Sequence, residues 1–231
     1  MRRMVLLDLF CGAGGAAIGY QRAGFDVVGV DNRPQPSYPG TFVQADAIDY
    51  LGDVVPGTFD AIHASPPCQG YSRHVSSTSS EYAGTRGKDE PRLIEPVRTL
   101  LQHIGAPYVI ENVVGARYDL RGPILLCGTM FDLPIPRHRI FEVTRSVGAV
   151  APWHTYCRGI AKWYAEQRGW DPRDMTVTGK GRHAGTKERW AEVMGWPADV
   201  PVTQHGLREA IPPAYTEWIG RQLRATLELA A

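Results

Sequence analysis

At 231 residues, with 43% hydrophobic and 21% charged residues, the chain has the size and composition of one soluble globular domain with room for a small appendage. No apolar run is long enough to span a bilayer, and Met1-Arg2-Arg3 leads directly into a strand-like run, so neither a membrane segment nor a secretory leader is expected. The net charge of +1 hides an asymmetry: residues 1–136 carry 11 Lys/Arg against 14 Asp/Glu and residues 137–231 carry 14 against 10, which favours the carboxyl half as the side for a polyanion, with a solvated charged face as an equally good reading.

Met4 to Phe10 reads as a buried first strand. Cys11-Gly12-Ala13-Gly14-Gly15-Ala16-Ala17 follows and leads into a helix ending near Ala23. Gly12, Gly14 and Ala17 fit a G-x-G-x-x-G/A turn, where glycines let the backbone approach a nucleotide-like ligand. Phe25 to Asp31 reads as a second strand ending in an acid, about 20 residues beyond the glycines, where a ribose-binding carboxylate belongs. Gln44-Ala45-Asp46 ends a third strand, and Asp46 is placed to cap the next helix. To this point the pattern leaves a dinucleotide cofactor open.

Phe59 to Ala64 forms a fourth strand, followed by Ser65-Pro66-Pro67-Cys68-Gln69-Gly70-Tyr71-Ser72. Two prolines end sheet pairing and stiffen the turn, so Cys68 is held on a rigid corner at the carboxyl end of a strand, the edge at which open α/β sheets bind ligands. A core cysteine needs no such brace. Arg73 to Arg92 reads as a polar, Ser- and Gly-rich loop. A helix follows from near Glu95 to Ile104, then a fifth strand, Pro107 to Ile110, that delivers Glu111-Asn112 to the edge holding Cys68. Leu125 to Gly128 and Arg139 to Val143 read as further strands flanking Arg137-His138-Arg139. From Thr144 to Val202 the periodicity weakens while Arg173, Lys180, Arg182, Lys187 and Arg189 are scattered through it. Ile211-Pro212-Pro213 opens a last helix with Tyr215, Trp218, Ile219, Leu223 and Leu227 on one face.

The four cysteines, Cys11, Cys68, Cys127 and Cys157, form no C-x-x-C pair, so neither a zinc knuckle nor a disulfide framework is indicated and a reducing cytoplasm fits best. His154 and Cys157 have metal-ligand spacing but no second pair in the sequence, so no metal is expected and Cys127, Cys157 and the histidines read as ordinary packing residues.

Asp8-Leu9-Phe10-Cys11-Gly12-Ala13-Gly14-Gly15, Pro66-Pro67-Cys68-Gln69, Glu111-Asn112-Val113 and Arg137-His138-Arg139, in that order, resemble the DNA cytosine-C5 methyltransferase family in its compact bacterial or phage form. The resemblance covers residues 4–143 and returns at Glu209 to Pro213, where Arg208-Glu209 stands in place of the family's usual Gly-Asn. It implies an α/β, Rossmann-like S-adenosylmethionine-dependent methyltransferase fold. A catalytic core over 1–143 would carry a reduced target-recognition region over 144–206, with residues 207–231 returning to the core as a helix.

The resemblance further implies S-adenosylmethionine as cofactor. Phe10 would stack on adenine, Asp31 would bind the ribose and Asp46 the adenine amino group. Gly12 and Gly14 would admit the methionine end, with Asp8 and Pro66 in the same cofactor-facing set. Cys68 would be the nucleophile, Glu111 would hold and protonate N3, Arg139 would bind O2, and Arg137 would support the loop or a phosphate. The cofactor lacks a pyrophosphate, which agrees with the absence of a basic clamp beside the glycines. The implied substrate is double-stranded DNA, flipped out base by base, for a monomeric enzyme with neither membrane nor metal, of a restriction-modification kind. The alternatives are the same chemistry on RNA, against which stands the lack of that branch's Cys-Phe-Thr signature, and a catalytically inert nucleic-acid-binding relative, which would have no need of Cys68, Glu111 and Arg139 together. A Rossmann oxidoreductase would leave Pro-Pro-Cys unexplained.

Overall fold

A computed structural model describes residues 3–71, 91–154, 156–175, 177 and 185–230. Among these residues seven strands, β1 (Met4–Leu9), β2 (Phe25–Asp31), β3 (Thr41–Gln44), β4 (Ala61–Ala64), β5 (Tyr108–Asn112), β6 (Ile124–Leu126) and β7 (Arg139–Val143), form one sheet in the order β3-β2-β1-β4-β5-β7-β6. The first five are parallel, and β7 runs antiparallel to both of its neighbours. The reversed strand brings the amino end of β7 to the edge where the parallel strands have their carboxyl ends. Arg139 therefore arrives beside Glu111 although 28 residues separate them in the chain.

The helices are α1 (Gly15–Arg22), α2 (Ala47–Gly52), α3 (Ile94–Ile104), α4 (Cys157–Gln167), α5 (Lys187–Met194), α6 (Gln204–Glu209) and α7 (Pro213–Ala230). Successive residues of a strand face opposite sides, so a parallel strand covered on both faces must be apolar at nearly every position. In β1, Leu7 and Leu9 pack with Leu51 of α2 and Val97 and Leu101 of α3, while Leu6 packs with Ala17 and Tyr20 of α1 and Tyr215, Ile219 and Leu223 of α7. The two helices of the second layer are in close contact. A Cβ on Gly19 would lie 2.1 Å from the Pro213 carbonyl oxygen, and the Thr216 hydroxyl donates to the Ala16 carbonyl at 2.9 Å.

The main departure from expectation is the weakly patterned stretch after β7. It holds α4 and α5, and Trp190, Val193, Met194, Trp196 and Leu207 form a third hydrophobic centre with Ile18 of α1 and Ile135. The first strand stops one residue early, because Phe10 adopts φ 57° as the chain turns, and β5 runs through Glu111 and Asn112. The polar loop expected over Arg73 to Arg92 lies almost wholly outside the described residues, as does Arg182. Among the described residues no helix is long and apolar enough to cross a membrane.

Candidate active site

Strand register lines up the carboxyl edge. Leu9 pairs with Val30 on one side and Ala64 on the other, and Ala64 pairs with Ile110. The residues one step further, Asp31, Phe10, Ser65 and Glu111, therefore stand in a row across four strands. Beyond Ser65 the Pro66-Pro67 corner is fixed from the neighbouring strand, since the buried Asn112 amide donates to the Pro66 carbonyl at 2.9 Å. Cys68 follows, half-buried, and its carbonyl accepts from the Tyr71 amide at 3.0 Å. Tyr71 is itself buried, with its hydroxyl accepting from the first amide of α3, and the Arg92 guanidinium lies 4.8 Å above its ring. The turn bearing Cys68 is thus held at both ends.

Arg139 and Glu111 form an ion pair, Nε to Oε1 at 3.1 Å, with both side chains largely out of solvent. Burial raises the Glu111 carboxyl above its usual value of 4.5, against the lowering pull of Arg139, a Ser65 hydrogen bond and Arg137. Burial also raises the Cys68 thiol above 9.0, with Arg139 pulling it down and Glu111 pushing it up. Both residues thus act electrostatically on Cys68. A thiol raised in this way has a thiolate population that grows with pH.

Behind Glu111 lies a relay the sequence did not reveal. The Tyr20 hydroxyl is 2.9 Å from Nδ1 of His63, and Nε2 of His63 is 2.9 Å from the Ser65 hydroxyl. Burial lowers the His63 pKa to about 3, so the ring is neutral. With Glu111 ionised, the arrangement that satisfies the set has Tyr20 donating to Nδ1, Nε2–H to Ser65, and Ser65 to Glu111. Alternation in β4 placed His63 on the face of α1, but no local pattern marks it as a link to Glu111.

Of the two roles expected of Arg137, support of the chain or a phosphate contact, its surroundings match the first. It is buried, and its guanidinium donates to the carbonyls of Val177 at 3.1 Å and of Arg208 and Ala210 at 2.7 Å each. Its own carbonyl accepts from the Tyr215 hydroxyl at 2.5 Å. A side chain so enclosed straps the arginine segment to the carboxyl-terminal elements and does not reach a phosphate.

The other end of the edge has open space and acid groups. A Cβ on Gly12 would meet nothing within 4 Å, and Gly12 has φ +47°. The Gly12 amide donates to Oδ2 of Asp31 at 3.0 Å, and the Arg33 amide donates to Oδ1 at 2.9 Å. Phe10 is half-buried beside them. Asp46 is exposed, and its Oδ1 accepts from the amides of Ile48 and Asp49 at 2.8 and 3.1 Å, capping α2. Gly14 is accounted for by the chain itself, because a Cβ there would lie 2.4 Å from the Pro39 ring. Asp8 lies beneath the edge, fully enclosed, and accepts from the Tyr38 hydroxyl at 3.0 Å. Burial raises its carboxyl to about 7, opposed by that hydrogen bond and reinforced by Asp31. Pro66 is buried at the corner. The segment after α6 closes over the glycine turn: a Cβ on Gly15 would lie 2.4 Å from the Ile211 carbonyl oxygen. Glu209, in the stretch that departs from the expected pattern, adds its charge to those acting on Cys68.

Residues 4–125 match the family model described as C-5 cytosine-specific DNA methylase. Over 140 residues, 53% of the chain, it is 30% identical to type II methyltransferase M.AgeI from Thalassovita gelatinovora. It spans 30% of that relative's length and less than half of the other type II relatives it matches. An E. coli prophage protein crystallised as a candidate DNA modification methyltransferase superposes with TM-score 0.62 at 14% identity, over 97% of this chain and 99% of that one. The Dnmt2 methyltransferase of S. pombe superposes with TM-score 0.55 at 14% identity, over 99% of each chain. At such identities the likeness is one of fold.

Proposed function

The chain belongs to the C-5 cytosine-specific DNA methylase family, and we propose that it methylates C5 of cytosine in double-stranded DNA, with S-adenosylmethionine as methyl donor and Cys68 as covalent nucleophile. The observation that carries this reading is the convergence of Cys68 with the Glu111–Arg139 pair at the carboxyl edge of the sheet.

The residues at the glycine end suit the cofactor. Gly12 has open space before it, and Phe10 offers a ring. Asp31 and Asp46 offer carboxylate oxygens at neighbouring strand ends, acceptors for the hydroxyl and amino groups of a nucleoside. A ligand with a pyrophosphate would meet these acids unfavourably. When bound, the cofactor supplies an electrophilic methyl group.

The protein's task is to make cytosine nucleophilic. C5 is unreactive until the Cys68 thiolate adds at C6, which pushes an electron pair into the ring and gives C5 enamine character. Glu111, its protonated form favoured by burial, donates to N3 as negative charge develops there. Arg139 stays beside it and binds the base at O2. After transfer, a base removes the C5 proton, the C5–H electron pair forms the C5=C6 bond, the S–C6 pair leaves with Cys68 as thiolate, and the N3 proton returns to Glu111. The Tyr20–His63–Ser65 relay orients Glu111 throughout. The target base must leave the duplex to reach Cys68.

The test is incubation with methyl-labelled S-adenosylmethionine and either duplex DNA or RNA, followed by nucleoside analysis. Label in 5-methylcytosine of DNA is expected. Label in RNA alone would move the protein to another substrate, and no label in either would leave the inert relative.

A further inference from the structure

We propose that Cys127, His138, His154 and Cys157 form a structural zinc site that ties the arginine segment of the sheet to the carboxyl-terminal region. Their four donor atoms all lie within 4.8 Å of one another. Cys127 directly follows β6, His138 directly precedes β7, His154 lies in the connection beyond, and Cys157 opens α4. The sequence separates these into two distant pairs, and the fold closes them into one set of two thiols and two imidazoles.

Two of the spacings are those of a coordination shell, and the others need only small side-chain adjustments to close on an ion. Nε2 of His138 lies 3.3 Å from Nε2 of His154 and 3.6 Å from Sγ of Cys157. Tetrahedral zinc, with Zn–N of about 2.0–2.1 Å and Zn–S of about 2.3 Å, sets neighbouring nitrogens about 3.4 Å apart and nitrogen and sulfur about 3.6 Å apart. The two rings meet at 89° with centroids 5.1 Å apart, so they are not stacked. As hydrogen bonding alone the arrangement is poor. His138 Nε2 can hold one proton, yet it faces a nitrogen and a sulfur at once.

The donor types select the ion. Thiols and imidazoles without a carboxylate suit zinc and not calcium or magnesium. Four protein donors fill a tetrahedron, so the site is closed and structural, with no position left for a substrate. Cys127 and Cys157 are buried while His154 is exposed, which gives the ion a route in from the surface. His138 lies between Arg137, which straps the carboxyl-terminal elements, and Arg139, which pairs with Glu111. An ion on His138 therefore fixes the backbone from which both arginines project.

The experiment is metal analysis of the full chain purified from zinc-supplemented cells, alongside His154→Ala and Cys157→Ser. One zinc per chain is expected in the parent, lost from both variants on dialysis against a chelator that leaves the parent loaded. Cobalt replacement should give thiolate-to-metal charge-transfer bands and tetrahedral ligand-field bands, with the charge-transfer bands weakened in Cys157→Ser. His154 is exposed, so its alanine variant should keep the parent's far-ultraviolet circular dichroism while losing the metal. A folded parent that retains neither zinc nor cobalt would overturn the proposal. So would an intact mass two hydrogens light, with Cys127 joined to Cys157 as a disulfide.

Discussion

Nε of Arg139 lies 3.1 Å from Oε1 of Glu111, and the two residues reach that distance from adjacent strands running in opposite directions. The pair keeps a carboxyl group whose acid form is favoured by burial next to a permanent cation. Glu111→Gln keeps the shape and loses the proton. Single-turnover methyl transfer is expected to slow by about 10²–10⁴-fold, with DNA affinity changed far less. A rate within a few-fold of the parent would reduce Glu111 to an orienting group.

Cys68 carries a thiol held above 9.0. The thiolate fraction therefore rises with pH through the neutral and mildly alkaline range, and single-turnover rates should rise with it. Cys68→Ser should show no methyl transfer at any pH while binding cofactor within a few-fold in calorimetry. Measurable turnover by the serine variant would rule out covalent catalysis through this residue. A duplex with 5-fluorocytosine at the target should trap a covalent adduct that carries the methyl group, because fluorine cannot leave as a cation.

Asp8 makes stability depend on pH. Its folded carboxyl titrates at about 7 against an ordinary 3.8. Its protonated form is favoured by folding, so its contribution is full below about pH 4 and is lost as pH rises through 7. With about 1.36 kcal/mol per pKa unit, the loss is on the order of 4 kcal/mol. Asp8→Asn still accepts from Tyr38 and does not titrate. Urea midpoints of the two proteins should therefore diverge in favour of asparagine between pH 5 and 8. Parallel curves would show that Asp8 keeps an ordinary pKa.

Arg98 is buried in α3 and meets Glu142 of β7 through two bonds, Nε to Oε1 at 2.9 Å and Nη2 to Oε2 at 2.7 Å. Tyr108 adds a hydroxyl donor to the same carboxylate at 3.1 Å. Glu142→Ala removes the bidentate, buried partner of this guanidinium and leaves it only the exposed Glu95 carboxylate, so it should destabilise by up to about 3–5 kcal/mol in denaturant titration. The exposed Arg3–Asp26 pair is the control, and Arg3→Ala should cost less than about 1 kcal/mol.

Target choice is expected to be loose. With residues 144–206 proposed as the target-recognition region, connections and base contacts share one short stretch, and a bidentate contact is worth about 1–3 kcal/mol per base pair. Such a small region supports a target on the order of two to four base pairs, which bisulfite mapping of exposed DNA would read directly. A strict six-base site would count against it. Arg189→Ala is expected to weaken binding to all sequences alike, with one complication: its guanidinium lies 4.9 Å above the Trp170 ring, so circular dichroism must accompany the binding curve.

What the sequence made legible follows from how local each feature is. β2 and β7 were readable end to end, because apolar runs there are bounded by turns, and Asp46 was readable as the cap of α2. α4 was not. Its buried residues are Cys157, Ala161 and Ala165, a stripe of small side chains that leaves no large apolar period to find. The edge order of Cys68 and Glu111 could be read from strand ends. The enclosure of Arg137 could not, since its acceptors lie 40, 71 and 73 residues away in segments without a period. The Cys127 cluster was missed for the same reason: spacing shows metal pairs only when they are neighbours in the chain.

The contact between α1 and α7 has a consequence for how the protein is made. Ala16 and Thr216 are 200 residues apart, yet they close the same helix interface. At about 5–20 residues per second, the ribosome takes roughly 10–40 s between them. For that time Ala16, Ala17 and Tyr20 lack the helix that covers them, and the glycine turn lacks the Ile211 segment that closes over it. The part of the sheet's carboxyl edge synthesised first is thus the part finished last, and a nascent chain halted before residue 213 presents an apolar helix face without its cover.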